Sequence, residues 1–366
     1  MSQGVKMKKK FIVFYTLFLL TTLINCGSNQ EEGLRPPKGM VNLDFKNDKK
    51  TYKLLIMDSQ NKDPYKSARV NLLSTLKKFG LIKNKNLNIK YYDIKNKTDK
   101  AIEILKREIP SYKPDVIFTN GTVMARAARK AFVDKKNVKF VFACVSDPIG
   151  EKLIKDFGVK PIHNFTGVSY PVAVKARFEF IKRVFPNVRK IAILSADMPQ
   201  SKSYTSWVKK LFETDPQFKG YKVIFQKVEL VTGKDSQEKM TQLMKPHVLR
   251  LNDKVDLFVS GNDQLGISDP LAKMMKENSK KPFVPLSQKP ILKKIGGIAV
   301  IYPSSASMGV QAGYMIMKLF KGINIKNIPG EQPKKNGVAF NLIRAEKWGV
   351  KIPTELIELA GKNIVK

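Results

Sequence analysis

Small polar side chains follow five short apolar runs of this sequence, at points where each run is predicted to end as a β-strand. Most of these clusters are followed at once by a helical pattern. The start of a helix offers free N–H groups and a positive dipole end, which favour a carboxylate or a phosphate. We therefore take the clusters as candidate ligand-binding residues. They are Thr119, Asn120, Gly121, Thr122, Ser146, Asp147, Asn262, Asp263, Ser287, Gln288, Tyr302 and Ser304.

Each cluster also has a purely structural explanation. Asp147 and Asp263 could bind an ammonium group, or they could cap the helices predicted after them. An enzymatic function has less support than ligand binding. The sequence has only two histidines, His163 and His247, and it lacks the glycine-rich and nucleophile-elbow motifs of common enzymes. An enzyme would have to use one of the two aspartates without a visible partner. We therefore expect a binding protein with no catalytic residue, no cofactor and no metal.

The elements that position these residues follow an α/β pattern. From residue 50 onward, β-rich apolar runs alternate with amphipathic helical stretches, and the alternation restarts after residue 168. This rhythm predicts an α/β fold of two doubly wound lobes, each with a parallel sheet. Ligands of open parallel sheets bind beyond the carboxyl ends of the strands, so we expect a ligand cleft between the lobes.

The N-terminus has the layout of a secretory signal. A lysine-rich start precedes an apolar run at residues 11–20, and Cys26 follows. The arrangement resembles a bacterial lipoprotein box, although Asn25 stands where a small residue is usual, and the run is short for a membrane span. We predict a signal peptide over residues 1–26 with lipidation of Cys26, then a flexible tether over residues 27–50. An uncleaved anchor helix is the alternative.

The chain is strongly basic. It has 67 Lys and Arg residues against 31 Asp and Glu residues, a formal net charge of +36. Such an excess suggests an anionic membrane surface, nucleic acid or an acidic ligand. The lysines are spread along the whole chain, however, which favours a solvated surface, and zinc-finger spacings and aromatic RNA-binding signatures are absent from the sequence. We therefore expect no specific nucleic-acid partner.

Two segments carry a specific pattern, Val145-Ser146-Asp147-Pro148 and Asn164-Phe165-Thr166-Gly167-Val168-Ser169. They resemble the ABC transporter substrate-binding protein family and are similar to its tryptophan/tyrosine-binding lipoproteins. The resemblance covers about residues 52–360, with further matches at residues 114–131, 141–150, 255–259, 340–342 and 345–353. It implies a periplasmic-binding-protein type I fold that crosses between its lobes near residues 166–169, 285–289 and 324–333. The first lobe is then residues 51–167 plus 288–325, and the second is residues 168–287 plus 326–366.

The resemblance also implies a function. Members capture a small molecule for an ABC permease and ATPase, so we expect an extracytoplasmic, monomeric solute-binding protein tethered to the membrane by its lipid anchor. In relatives that bind an amino acid, the carboxylate meets the turn that matches Gly121 and Thr122, and the amino group meets residues that match Asp147 and Asp263. A surface-anchored sensor or adhesin that uses the same fold to bind anionic partners is the alternative.

The sequence departs from the family where the chain is expected to leave the second lobe. Relatives commonly read Ser-Asp-Glu-Gly there, whereas this chain has Leu286-Ser287-Gln288. A site with fewer carboxylates is less suited to a free ammonium group. The expected ligand is an amino acid or a related compound, and this departure makes a neutral or more anionic molecule the alternative.

Overall fold

Alternating strands and helices build the first lobe of the structure, a computed structural model that describes residues 42–366. The elements before the first crossing are β1 (Tyr52–Asp58), α1 (Tyr65–Lys78), β2 (Leu87–Asp93), α2 (Thr98–Tyr112), β3 (Val116–Asn120), α3 (Thr122–Phe132), β4 (Phe140–Val145) and β5 (Phe165–Ser169). The strands are parallel in the order β2-β1-β3-β4-β5, with an apolar core on each face. Every residue of β3 and β4 is buried, which is why both strands read as continuous apolar runs.

The second lobe repeats this design. Its elements begin with α4 (Val174–Val184), β6 (Lys190–Ala196), α5 (Pro199–Thr214), a 3-10 turn (Pro216–Phe218), β7 (Lys222–Val228), α6 (Ser236–Leu251), β8 (Leu257–Ser260), α7 (Asp269–Asn278) and β9 (Phe283–Val284). The four strands are parallel in the order β7-β6-β8-β9. The predicted α/β fold of two lobes with parallel sheets is confirmed.

A third, small sheet extends the second lobe. The remaining elements are α8 (Lys289–Leu292), β10 (Ala299–Pro303), α9 (Ser305–Phe320), a 3-10 turn (Ile325–Asn327), β11 (Asn336–Asn341), α10 (Leu342–Lys347), α11 (Thr354–Ala360) and β12 (Ile364–Val365). β11 pairs antiparallel with β10 and parallel with β12. The N–H of Ile298 donates to the carbonyl of Phe283 at 3.1 Å, which joins β10 to the second lobe.

The prediction that residues 288–325 belong to the first lobe is therefore wrong for the first part of this segment. Residues 289–303 lie with the second lobe, because β10 pairs with β11 and its apolar side chains complete the second lobe's core. The chain crosses at Ser304, and α9 then packs along α1 in the first lobe. The two helices lie so close that a Cβ added to Gly309 would come within 2.0 Å of the carbonyl oxygen of Ala68.

The predicted tether ends earlier than expected. Residues 42–50 lie against the first lobe, where Phe45 is fully buried and its N–H donates to the carbonyl of Phe79 at 2.8 Å. The ammonium group of Lys321 lies 4.1 Å from the centroid of the Phe45 ring. The tether prediction is wrong for these residues, because apolar side chains within a polar stretch anchor it to the lobe. Cys26, the predicted signal peptide and the rest of the tether lie outside the described residues.

Within residues 42–366, no helix is both long enough and apolar enough to cross a membrane.

Candidate functional site

A cavity of about 660 Å³ lies between the two lobes. The first lobe contributes the N-termini of α1 and α9. The second lobe contributes α4, α5, β10 and the loops that follow β8 and β9, and the crossing at residues 170–172 lines the cavity as well. A volume of this size suits a small molecule. The expected cleft between the lobes is thus present.

Five of the predicted site residues line this cavity, namely Asn262, Ser287, Gln288, Tyr302 and Ser304. Ser304 also caps α9, since its hydroxyl oxygen accepts a hydrogen bond from the N–H of Ser307 at 3.2 Å. The amide oxygen of Gln288 is buried, and residues 42–366 offer it no hydrogen-bond partner. Burial raises the pKa of Tyr302, so its hydroxyl remains neutral and can donate a hydrogen bond.

The structure does not bring the turn after β3 into the cavity. The side-chain amide of Asn120 donates to the carboxylate of Asp58 and to the carbonyl of Tyr65, both at 2.9 Å. The hydroxyl oxygen of Thr122 accepts a hydrogen bond from the N–H of Ser146 at 3.1 Å. The amide nitrogen of Asn120 and the hydroxyl of Thr122 are therefore used inside the first lobe, whereas the amide oxygen of Asn120 and the hydroxyl of Thr119 are buried and find no hydrogen-bond partner within residues 42–366.

The backbone of the same turn is also enclosed. Gly121 has a φ of +103°, and a Cβ placed there would lie 2.5 Å from the hydroxyl oxygen of Ser59 and 2.6 Å from the ring of Tyr65. Thr119, two residues earlier on β3, is fully buried. First-lobe side chains thus cover the turn at which the family resemblance implies a ligand carboxylate.

Asp147 is buried and holds a turn. Its carboxylate accepts a hydrogen bond from the N–H of Gly150 at 2.8 Å, and its carbonyl accepts one from Glu151 at 2.9 Å. Turns follow at residues 148–153, so the helix predicted to start at Pro148 is wrong. The side chain does not line the cavity.

Asp263 is buried in the second lobe, where it joins three segments. Its carboxylate accepts hydrogen bonds from the N–H of Ala196 at 3.0 Å, the hydroxyl of Ser201 at 2.8 Å and the N–H of Gly266 at 2.8 Å. Burial raises the pKa of Asp263, and these hydrogen bonds offset the rise only in part. Its neighbour Asn262 lines the cavity, whereas the aspartate faces its own lobe.

Arg177 and Tyr204, which are not among the predicted site residues, also line the cavity. Arg177 on α4 is only 2% exposed, and its Nη1 donates to the hydroxyl of Tyr204 on α5 at 2.8 Å. A sequence signal for this arginine exists. Arg177, Ile181 and Val184 occur at helical spacing on the buried face of α4, so a charged residue stands where an apolar one is expected.

The other charged residues at the cavity are already engaged. Asp63 is exposed, and its carboxylate accepts a hydrogen bond from the N–H of Ser67 at 3.1 Å near the start of α1. Lys289 forms an ion pair with Asp269. Within the described residues, no group of His, Cys, Asp or Glu side chains could hold a metal ion.

A separate polar cluster lies at the carboxyl end of β1. Asp58 is fully buried, pairs with Arg69 and accepts a hydrogen bond from Asn120. The guanidinium carbon of Arg69 lies 4.2 Å from the centroid of the Tyr91 ring. Burial raises the pKa of Asp58 to about 6, because desolvation outweighs the hydrogen bonds and the nearby positive charge.

A family model described as ABC transporter substrate binding protein matches residues 60–364 of this chain. The chain belongs to that family. The resemblance seen in the sequence is thereby confirmed, and membership of the ABC transporter substrate binding protein family explains why the cavity lies between two lobes. Comparison with curated protein sequences gives no match.

Solved structures of similar fold support the same architecture. An ABC domain from Streptococcus pneumoniae in complex with L-Trp has a TM-score of 0.61 and 22% identity, covering 86% of this chain and 100% of that one. A ligand-free, open substrate binding protein with adhesive properties from Clostridium difficile has a TM-score of 0.68 and 22% identity, covering 86% and 98%. A solute binding protein from Rhodopseudomonas palustris in complex with 3,4-dihydroxy benzoic acid has a TM-score of 0.51 and 15% identity, covering 75% and 82%.

Proposed function

We propose that this protein is the extracytoplasmic solute-binding component of an ABC importer. The observation that carries the proposal is the cavity of about 660 Å³ whose walls come from both lobes. A solute that touches both lobes adds contacts only when the lobes come together, so binding favours a closed arrangement. The closed form is then the one presented to a permease and its ATPase.

The solute is proposed to be an amino acid or a related aromatic acid. Tyr170, Tyr204 and Tyr302 line the cavity and give it flat apolar surfaces with polar tips. The neighbour from Streptococcus pneumoniae holds L-Trp, and the one from Rhodopseudomonas palustris holds an aromatic acid. Both ligands combine a ring with a carboxylate, which suits a cavity of tyrosines and polar side chains.

Export and anchoring complete the proposal. The signal-like N-terminus and Cys26 support cleavage after residue 25 and acylation of the new N-terminus. The protein then works as a monomer at the outer side of the cytoplasmic membrane or at the cell surface, with no catalytic step of its own.

Native mass spectrometry of the purified full chain tests the proposal. We expect one small molecule per chain, released on denaturation and bound again when added back. Absence of any co-purified solute, together with no binding of amino acids, aromatic acids or sugars in calorimetric titration, would contradict solute capture.

A surface sensor or adhesin is the second candidate. It is favoured by the net charge of +36 and by the neighbour from Clostridium difficile, which is described as having adhesive properties. Deletion of the gene distinguishes the two functions: an importer component is required for uptake of its solute, whereas an adhesin is required for attachment and leaves uptake unchanged.

A further inference from the structure

Arg177 is an unusual residue for the wall of a cavity. It lies in the first turn of α4, directly after the crossing between the lobes, and its side chain is almost fully buried. Its Nη1 donates to Tyr204, but its Nη2 is buried and finds no hydrogen-bond partner in the described part of the chain.

The guanidinium carbon of Arg177 lies 5.6 Å from the centroid of the Tyr204 ring, but this contact supplies no negative charge. A guanidinium stays protonated at any physiological pH, and burying it is costly unless an anion accompanies it. No carboxylate of residues 42–366 lies within ion-pair distance of Arg177. The hydroxyl of Tyr204 is a neutral acceptor and does not balance the charge. Since Arg177 lines the cavity, the missing anion is best supplied by the solute.

We propose that Arg177 and Tyr204 hold the carboxylate of an anionic solute, an inference that rests on the proposed function. Nη2 of Arg177 provides one donor. The hydroxyl of Tyr204 accepts its hydrogen bond from Nη1, which leaves its own proton for a second donor. An arginine fork with a neighbouring hydroxyl suits the two oxygens of a carboxylate.

The other residues of the cavity indicate which chemical groups that solute carries besides its carboxylate. Tyr170, Ile301 and Leu286 contribute apolar surface to the lining, and the buried amide oxygen of Gln288 can accept a hydrogen bond from a donor on the ligand. An ammonium group has little to bind, because Asp63 is exposed and already caps a turn. The cavity therefore fits an aromatic or similarly apolar carboxylic acid that also carries a donor group.

Three compounds with the same ring test the charge preference. Phenylacetate, phenylacetamide and phenethylamine, with their indole counterparts, are titrated calorimetrically into the purified full chain. We expect the acids to bind at least about 30-fold more tightly than the amides, because the amide leaves a desolvated charge unpaired, and we expect the amines to bind most weakly.

Arg177→Met should remove this preference and bring the acids down to the affinity of the amides. The acid-to-amide affinity ratio of Arg177→Lys should lie between those of the wild type and Arg177→Met, since lysine keeps the charge but lacks the forked guanidinium. Arg183→Met is the matched control: this arginine lies on the same helix, is exposed and pairs with Glu355. It should leave the preference for acids unchanged.

Thermal unfolding separates a ligand-binding role from a structural one. The ligand-free Arg177→Met protein should unfold at a temperature no lower than the wild type, because the substitution removes a buried unpaired charge. A lower unfolding temperature with an unchanged acid-to-amide ratio would make Arg177 a packing residue and overturn the inference. Equal binding of acid and amide, or binding of none of the probes while native mass spectrometry finds another solute, would also overturn it and leave the proposed function standing. If native mass spectrometry finds no bound solute and none of the probes binds, both this inference and the proposed function are contradicted.

Discussion

Replacing Asp263 by asparagine should destabilise the second lobe without abolishing solute binding. The carboxylate accepts three hydrogen bonds, two at Oδ2 from Ala196 and Ser201 and one at Oδ1 from Gly266. Asparagine keeps one accepting oxygen and turns an NH2 group toward at least one N–H donor. Losing a hydrogen bond to a charged acceptor costs about 1.5–3 kcal/mol. Relief of the buried charge offsets part of this loss, so we expect about 2 kcal/mol of destabilisation.

Chemical denaturation of the wild type, Asp263→Asn and Asp253→Asn measures the effect. Asp253 is exposed in the same lobe, so its substitution should change stability by less than about 0.5 kcal/mol. Affinity for the co-purified solute should stay within a few-fold in both variants. The reasoning fails if Asp263→Asn leaves stability unchanged and weakens binding by about 30-fold or more, since the aspartate would then contact the solute.

The other predictions concern three further residues. Gly121→Ala should lower the free energy of unfolding by about 3 kcal/mol, because of a strained φ and close contacts with Ser59 and Tyr65. Gly158 also has a positive φ but open space around it, so Gly158→Ala should lower that free energy by only about 1 kcal/mol. Equal losses of stability in chemical denaturation would contradict a role for the contacts with Ser59 and Tyr65. Asp58→Asn tests the pKa of about 6, which exceeds the ordinary aspartate value of 3.8. Ionisation of Asp58 should lower wild-type stability by roughly 3 kcal/mol relative to the variant as pH rises from about 3 to 7, and parallel pH profiles would contradict it. Metabolic labelling with a fatty-acid analogue should mark the wild type and not Cys26→Ser, and equal labelling would exclude acylation of Cys26.

Local patterns in the sequence predict the individual elements well. The apolar runs at residues 52–57 and 140–145 predict strands that agree with β1 and β4 to within one residue, because buried parallel strands are continuous apolar runs. The sequence pattern predicts a helix from Leu265, but α7 begins four residues later at Asp269, because Ser268 caps it and Asp263 holds the preceding turn. That cap, followed by Pro270, was visible in the sequence.

Long-range pairing is harder to predict. The apolar run that becomes β10 fits either lobe by its composition, and only its pairing with β11 decides between them. The same limit applies to the site. The rule that ligands bind beyond the carboxyl ends of strands predicted five residues that line the cavity. It does not distinguish Asn262, which lines the cavity, from its neighbour Asp263, which is hydrogen-bonded within the second lobe. Arg177 was missed because it lies inside a helix rather than at a strand end.

Calorimetric titration of the co-purified solute into a cavity-filling variant tests the central claim most directly. Ser305 lines the cavity at the start of α9, so Ser305→Trp should occupy the space between the lobes. Ser206→Trp makes the same change on an exposed position of α5 and serves as the control. If the solute binds between the lobes, Ser305→Trp should lose at least about 30-fold in affinity while the control keeps wild-type binding. Wild-type affinity in a correctly folded Ser305→Trp protein would contradict binding in this cavity.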